Sequence, residues 1–377
     1  MTDIIIIGGG IGGLTCAIAL TQRGHSVRVF EKTPQLQPVG AGLGLGINAM
    51  RVLQQLRIAD EVIERGNRLQ TMDIKTPAGK ILNRVDIRPL VEKFGIPAIT
   101  IHRADLHEIL VAALSQNALQ LGEEFVSYEQ HQSQVTANFA SGKQVTGQLL
   151  VGSDGIHSQV RQQMFGKQPL RDARQMCWRG ICNEPSINAP HYCVVWGQKA
   201  RFGFVRVNSR QIYWFCTINT GMGKIPENKE QLREIFQQWC EPIPQILSTT
   251  EENAILRNDL FDRRPHTPWY DNNVVLLGDA IHPTTPNLGQ GACMAIESAE
   301  VLAHCLEHYK GTNNALQHYQ KLRLPRTRQI TKASWRVGKI ATISNPLIMH
   351  LRNAFVRITP SMFPRRRLQQ VFAYDIY

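Results

Sequence analysis

Ile4-Ile5-Ile6-Ile7-Gly8-Gly9-Gly10-Ile11-Gly12-Gly13 stands almost at the start of the chain. Four consecutive isoleucines read as a strand buried on both faces, and the glycines after them meet the G-x-G-x-x-G spacing at Gly8, Gly10 and Gly13, with Gly12 between. Alone the pattern is weak; its surroundings give it force. Leu14 to Gln22 continues as a helix, Val27–Phe30 forms the next strand, and Glu31 ends that strand. Glycine permits the tight turn and lets a pyrophosphate sit against the N–H groups of the helix N-terminus, while Glu31 is placed to accept hydrogen bonds from ribose hydroxyls. The stretch therefore predicts a dinucleotide site.

The chain around it has 377 residues, more than the ~100–150 of a typical domain, so two lobes are expected. Hydrophobic residues make up 43% and charged residues 19%, an ordinary globular composition. The apolar run Ile4–Ile7 ends in glycine, far short of the ~7–15-residue apolar core of a signal peptide or the ~18 residues of a membrane span, which reads as a cytoplasmic protein. Eight cysteines form no C-x-x-C pair and no cluster with histidines, so reduced thiols are expected, with no metal site and no disulfide framework. The net charge is +12, part of it at Arg352, Arg357, Arg365, Arg366 and Arg367. Such a field favours anionic substrates, nicotinamide phosphates or an acidic membrane. Aromatic residues do not interleave with the basic run and no nucleic-acid motif occurs, which argues against nucleic acid.

Apolar runs closed by glycine or polar residues recur at Val27–Phe30, Leu149–Val151 and Val274–Leu277, as for buried parallel strands. From about 171 to 270 the texture changes to short aromatic and β-branched segments, Tyr192–Trp196, Arg201–Val207 and Gln211–Ile218, expected to form an antiparallel sheet. No linker separates the two textures. The second lobe is thus expected as an insertion, with 1–75, 96–170 and 271–345 in the nucleotide-binding domain, 76–95 and 171–270 in a substrate domain, and 346–377 as a C-terminal helical segment. Within that last region Ile343, Leu347, Leu351 and Phe355 recur at helical spacing; packing against the cofactor domain is the expected arrangement, docking on a membrane the other.

The acidic Glu31 disfavours a 2′-phosphate, hence NADP, at the first site; FAD and NAD remain. The second half of the chain separates them. Val274-Val275-Leu276-Leu277-Gly278-Asp279-Ala280-Ile281-His282-Pro283 resembles the GD motif of flavoprotein hydroxylases, whose aspartate holds a ribityl hydroxyl of FAD. Pro286-Asn287-Leu288-Gly289-Gln290-Gly291-Ala292 then opens a helix with residues small enough for a ring to approach the backbone. Gly152-Ser153-Asp154-Gly155-Ile156-His157-Ser158-Gln159-Val160-Arg161 resembles the D-G motif of the same family, with Asp154 either touching the cofactor or capping a helix, and with Ser158 and Arg161 read as structural. His102-Arg103-Ala104-Asp105-Leu106 matches the family's arginine at a helix start near the ribityl chain and phosphates. Gly40-Ala41-Gly42-Leu43-Gly44-Leu45-Gly46-Ile47-Asn48 resembles its flexible loop over the ribityl chain and flavin ring. No second G-x-G-x-x-G occurs, so NAD(P)H is expected only as a transient visitor.

Together these stretches resemble the single-component, class A FAD-dependent aromatic hydroxylases, over nearly the whole chain. Trp178-Arg179-Gly180, Arg201-Phe202-Gly203-Phe204 and Tyr213-Trp214-Phe215 resemble the salicylate hydroxylase, urate hydroxylase and zeaxanthin epoxidase-like branch. The resemblance implies an α/β fold, a Rossmann-like FAD-binding domain with an inserted antiparallel-sheet substrate domain and C-terminal helices, in a monomer or homodimer. It implies FAD contacts from Gly8, Gly10, Gly12, Gly13, Glu31, Lys32, Gly44, Arg103, Val126, Asp154, Asp279, Pro286, Gly289, Gln290, Gly291 and Ala292. It further implies NAD(P)H and O2 as cosubstrates, with one oxygen atom passing by way of a flavin C4a-hydroperoxide to an aromatic or electron-rich unsaturated small molecule. Arg201 and Tyr213 are the candidate catalytic residues, because the urate hydroxylase pattern has an arginine and a tyrosine at this spacing. They share a sheet face if the turn near Asn208 has three residues, and oppose each other if it has two or four. His282 reads as structural. A flavin-dependent reductase or dehydrogenase, or an FAD-binding protein without turnover, would use the same fold.

Overall fold

The computed structural model describes residues 2–36, 41–220, 225–359 and 365–375, without the side chains at 365–367. Gly40 of the second glycine-rich stretch, Pro360 to Phe363 of the C-terminal segment, and the side chains of Arg365, Arg366 and Arg367 lie outside the described residues.

A six-stranded sheet carries the nucleotide half, in the order Tyr270–Asp271, Val274–Leu276, Leu149–Gly152, Asp3–Ile7, Ser26–Glu31, Leu119–Leu121. Every neighbouring pair is parallel except the outermost, Tyr270–Asp271 with Val274–Leu276. The isoleucine run is its centre: Ile4, Ile5 and Ile6 are fully buried, as a strand covered on both faces requires. Helices Ile11–Gln22 and Gly291–His308 pack on each other over this sheet. A three-stranded antiparallel meander, Phe125–His131, Gln134–Phe139 and Gln144–Gly147, lies beside it.

The inserted sheet has seven strands, ordered Ile255–Asp262, Arg171–Cys182, Ile212–Asn219, Ala200–Arg206, Tyr192–Trp196, Thr71–Lys75, Ile81–Asp86. Thr71–Lys75, assigned by sequence to the nucleotide domain, is part of this sheet and pairs with Ile81–Asp86. One face buries Phe202 stacked on Trp214 at 5.5 Å and packs on Leu232, Phe236, Ile243 and Ile246 of two short helices. The other face turns toward the nucleotide half. Which residues occupy it is set by one hairpin: Arg206 pairs with Ile212 and the Val207 N–H donates to Gln211 O at 3.0 Å, leaving Asn208, Ser209 and Arg210 as the turn. Asn208 Oδ1 accepts the Arg210 and Gln211 N–H groups, each at 2.9 Å, which closes that turn. Three turn residues put Arg201 and Tyr213 on one face.

Two expectations are overturned. Gly42–Leu45, read as a flexible loop, is a strand paired antiparallel with Ala98–His102. Glycine is poor in strand propensity, so its composition concealed a ladder supplied by the β-branched partner. The apolar stripe of helix Pro346–Ile358 does not pack inward: Leu347 is 76%, Leu351 70% and Phe355 66% exposed. Its buried residues are Arg352 and Val356. Arg352 sets this rotation, donating from Nη1 to Ile340 O at 3.1 Å and Ala341 O at 3.0 Å, the open carbonyls at the end of helix Thr312–Ala341.

Candidate active site

At the carboxyl edge of the parallel sheet three turns lie side by side, after Ile7, Gly152 and Leu276, where ligands of open α/β sheets bind. The glycines of the first turn divide into two kinds. At Gly8, with φ +106°, a Cβ would stand 2.5 Å from Ser153 O, and at Gly13 it would stand 2.0 Å from Gly8 O. A Cβ on Gly12 would meet Leu277 Cδ2 at 2.9 Å. These three are glycine because strand and helix are packed against them. A Cβ on Gly10 would meet nothing within 4 Å, and Gly10 precedes helix Ile11–Gln22 with no side-chain cap. The helix N–H groups are left open there.

Glu31 Oε2 accepts the Gly9 N–H at 2.7 Å, and Oε1 accepts the Thr33 N–H at 3.0 Å and its hydroxyl at 2.8 Å. Burial opposes ionisation of Glu31, but these donors and Lys32 hold its carboxyl below the ordinary value. Lys32 is exposed. Gly122 and Glu123 donate N–H to Thr33 O and Glu31 O, which brings the chain alongside this corner shortly before the exposed Val126. Arg103 begins helix Arg103–Ala112; its backbone N–H donates to Ala41 O at 2.8 Å, while its guanidinium makes no hydrogen bond or ion pair among the described residues. Burial and then the neighbouring Arg179 push its pKa down, against the pull of Glu31.

Asp154 caps: Oδ2 accepts the N–H groups of Gln159 at 2.7 Å and Val160 at 3.2 Å, while its buried Oδ1 has no hydrogen-bond partner among the described residues. Ser158 Oγ accepts the Arg161 N–H at 2.9 Å, the structural role expected of it. His282 is buried, bonded through Nε2 to Ser298 Oγ at 3.0 Å, and desolvation lowers its pKa to about 3, so it is neutral and structural. Asp279 is different. Its residue is exposed to solvent, its carboxyl has no partner among the described residues, and the surrounding protein, by desolvation, raises its pKa to about 6. Pro286 and Gly289 are exposed on the following turn; Gly289 has φ +63° and a Cβ there would touch nothing. Gly291 and Ala292 start an 18-residue helix without a side-chain cap, and buried Gln290 before them accepts from Asn48 Nδ2 at 3.1 Å. Gly44 also faces open space, while Cys293 Sγ lies 3.5 Å from Gly44 O, so the glycine strand abuts that helix start.

The inserted sheet closes the other side. Tyr213 lies on the glycine strand, where a Cβ on Gly42 would fall 2.4 Å from its Cγ. Buried Arg201 donates from Nε to Thr217 Oγ1 at 2.9 Å and from Nη2 to Asn287 Oδ1, with its guanidinium 5.5 Å from the Phe215 ring centre. Asn287 is itself fixed, donating to Thr285 Oγ1 at 2.9 Å and Ser334 O at 3.0 Å. Sequence reasoning missed Asn287 and Arg179; an asparagine in a turn carries no signal of its partner across the cleft.

An unpaired carboxylate, an unpaired guanidinium, two uncapped helix starts and glycines facing open space fit a long, phosphate-bearing cofactor with a planar ring. Fold and site define a flavoprotein. Residues 1–334 match the FAD binding domain family. The chain is 35% identical over 361 residues to aurachin C monooxygenase/isomerase of Stigmatella aurantiaca, covering 95% of this chain and 94% of that one. It is 28% identical over 347 residues to 6-hydroxynicotinate 3-monooxygenase of Pseudomonas fluorescens, covering 88% and 90%. The structure of Klebsiella pneumoniae HpxO with FAD and uric acid aligns at a TM-score of 0.89 and 25% identity, over 99% of this chain and 96% of that one. The chain belongs to the class A FAD-dependent monooxygenases, which use NAD(P)H as cosubstrate.

Proposed function

We propose that this monooxygenase hydroxylates a hydroxylated aromatic or N-heteroaromatic ring held between the inserted sheet and the glycine strand, with Arg201 and Tyr213 as its orienting residues. The observation that carries this reading is their shared face, met by the glycine strand and by the 286–292 turn: Tyr213 against Gly42, Arg201 against Asn287. The relatives that act on 6-hydroxynicotinate and bind uric acid are of the same chemical class. FAD, held by the Gly8–Gly13 turn, Glu31, Arg103, Asp279 and the 286–292 turn, supplies the oxygen chemistry.

The chain's own residues set up the substrate. Burial lowers the Arg201 pKa yet leaves a guanidinium charged at neutral pH, and that charge favours the anionic form of a ring hydroxyl. Burial pushes the Tyr213 phenol up, so at neutral pH its Oη keeps its proton and donates a hydrogen bond. Ile181 and Val205 lie opposite Tyr213 in the sheet, and Trp196 opposite Arg201, which gives an apolar wall that excludes water. Asp154 contributes through the turn it caps. A cytoplasmic location belongs to this reading; eight free cysteines, seven of them buried, fit a reducing compartment.

The test is substrate-stimulated oxidation of NADH and NADPH under air across hydroxylated aromatic acids, purines, quinolones and isoprenoids, with product mass after isotope-labelled O2. A ring product heavier by one labelled oxygen is expected, and Arg201→Gln should lower kcat about a hundredfold. Stimulation by none of these classes overturns the reading.

A further inference from the structure

Residues 308–377 hold 13 of the 42 Lys and Arg and one acidic residue, Asp375, so the whole excess of +12 falls in this C-terminal stretch. Within it, helix Pro346–Ile358 presents Leu347, Ile348, Leu351, Phe355 and Ile358 to solvent, each at least half exposed, at spacings that make one stripe about 17 Å long. Exposed Lys332, Arg336 and Lys339 recur along one face of the preceding helix, and exposed Arg357 stands on the helix itself. The outward rotation is built in. Asn345 Oδ1 caps the Leu347 and Ile348 N–H groups at 2.9 and 3.2 Å, and Arg352 clamps the helix from beneath.

We propose that this helix docks the protein on an anionic lipid bilayer, lying in the plane of the interface with its apolar stripe among the acyl chains and the exposed cations of this helix and the preceding one against the headgroups. Among the described residues no helix is long and apolar enough to cross a membrane, so the contact is peripheral. The opposite side of the same helix packs on the inserted sheet, on the face that carries Arg201 and Tyr213: Val356 packs with Leu82, Val194 and Trp196, beside Tyr192 and Phe215. A lipid-soluble substrate would therefore pass from bilayer to cleft around one helix; this access route rests on the proposed function, whereas the docking does not.

The experiment is flotation of the FAD-loaded full chain with vesicles of phosphatidylcholine alone or with about a third phosphatidylglycerol. Binding to the anionic vesicles is expected, weakening as salt rises. Replacing the two exposed residues by Leu351→Glu and Phe355→Glu should leave FAD content and melting temperature unchanged and weaken vesicle binding at least about tenfold. Failure to bind either vesicle overturns the proposal, as does binding that the double variant leaves intact. A dimer seen by light scattering and lost in the double variant, without vesicle binding, assigns the stripe to a second copy of the chain. Flotation needs no turnover, so inactivity toward every substrate would overturn the proposed function and leave the docking standing.

Discussion

Two groups of charged side chains lie in the nucleotide half, and they have been treated in opposite ways. Glu297 is fully buried, taking Arg323 Nη2 at 2.5 Å, Arg326 Nη2 at 3.0 Å and Asn48 Nδ2 at 2.5 Å. Burial opposes its ionisation, but the two guanidinium groups outweigh it and bring the pKa down to about 2. Arg326 also donates to the Gln370 and Val371 carbonyls, tying the C-terminal helix to the cofactor domain. By contrast, the side chains of Arg103 and Asp279 have no partner among the described residues, and Asp279 is pushed up to about 6. Charges completed within the chain hold the fold together; charges left incomplete mark where a ligand completes them.

Breaking the completed group has the largest effect. Glu297→Gln leaves two buried guanidinium groups uncompensated and should cost about 3–5 kcal/mol, read by denaturant unfolding. Because the folded pKa of Glu297 lies below its ordinary 4.5, its stabilisation is present above pH 4.5 and is lost as pH falls toward about 2. An unchanged midpoint would show that the network carries no stability.

The glycine turn sharpens the contrast within a few residues. Gly13→Ala, where a Cβ would stand 2.0 Å from Gly8 O, should destabilise by about 3 kcal/mol. Gly10→Ala should leave the unfolding midpoint alone and weaken FAD about tenfold, read by flavin fluorescence on reconstitution. Equal stability loss in the two variants would break the distinction.

Asp279→Asn should raise the FAD Kd about tenfold at neutral pH without lowering apoprotein stability. The wild-type carboxyl takes up a proton as pH falls through about 6 and loses capacity as an acceptor, so FAD affinity should fall over that range. A titration as steep in the variant as in the wild type would assign the pH dependence elsewhere. The smallest effect is that of Ser158→Ala, which removes a helix cap and should cost about 1 kcal/mol with FAD affinity unchanged.

The cofactor half was legible because its chemistry asks for residue types at fixed spacing: glycines after a strand, an acid at the end of the next, Gly278-Asp279 after a third. The substrate half was legible only as texture. The resemblance to the urate hydroxylase pattern named Arg201 and Tyr213 but left their faces open until the hairpin length was known. Glu297, Arg323 and Arg326 read as ordinary helical charges, and the partnership of Glu297 with Asn48 joins residues 249 positions apart. The stripe on helix Pro346–Ile358 was visible as a period; its direction depended on Arg352, whose hydrogen bonds no local pattern encodes.

The three-residue turn at Asn208–Arg210 also sets a rule of parity for how this protein can change. Adding or deleting one residue there would exchange the two faces of the strand, sending Trp214 into the cleft and Tyr213 among Phe202 and Phe236. Insertions in pairs would keep every side chain on its present side. A surface loop that touches no ligand therefore acts as a counter, and length variants with an even change are the ones able to explore new substrates without dismantling the sheet.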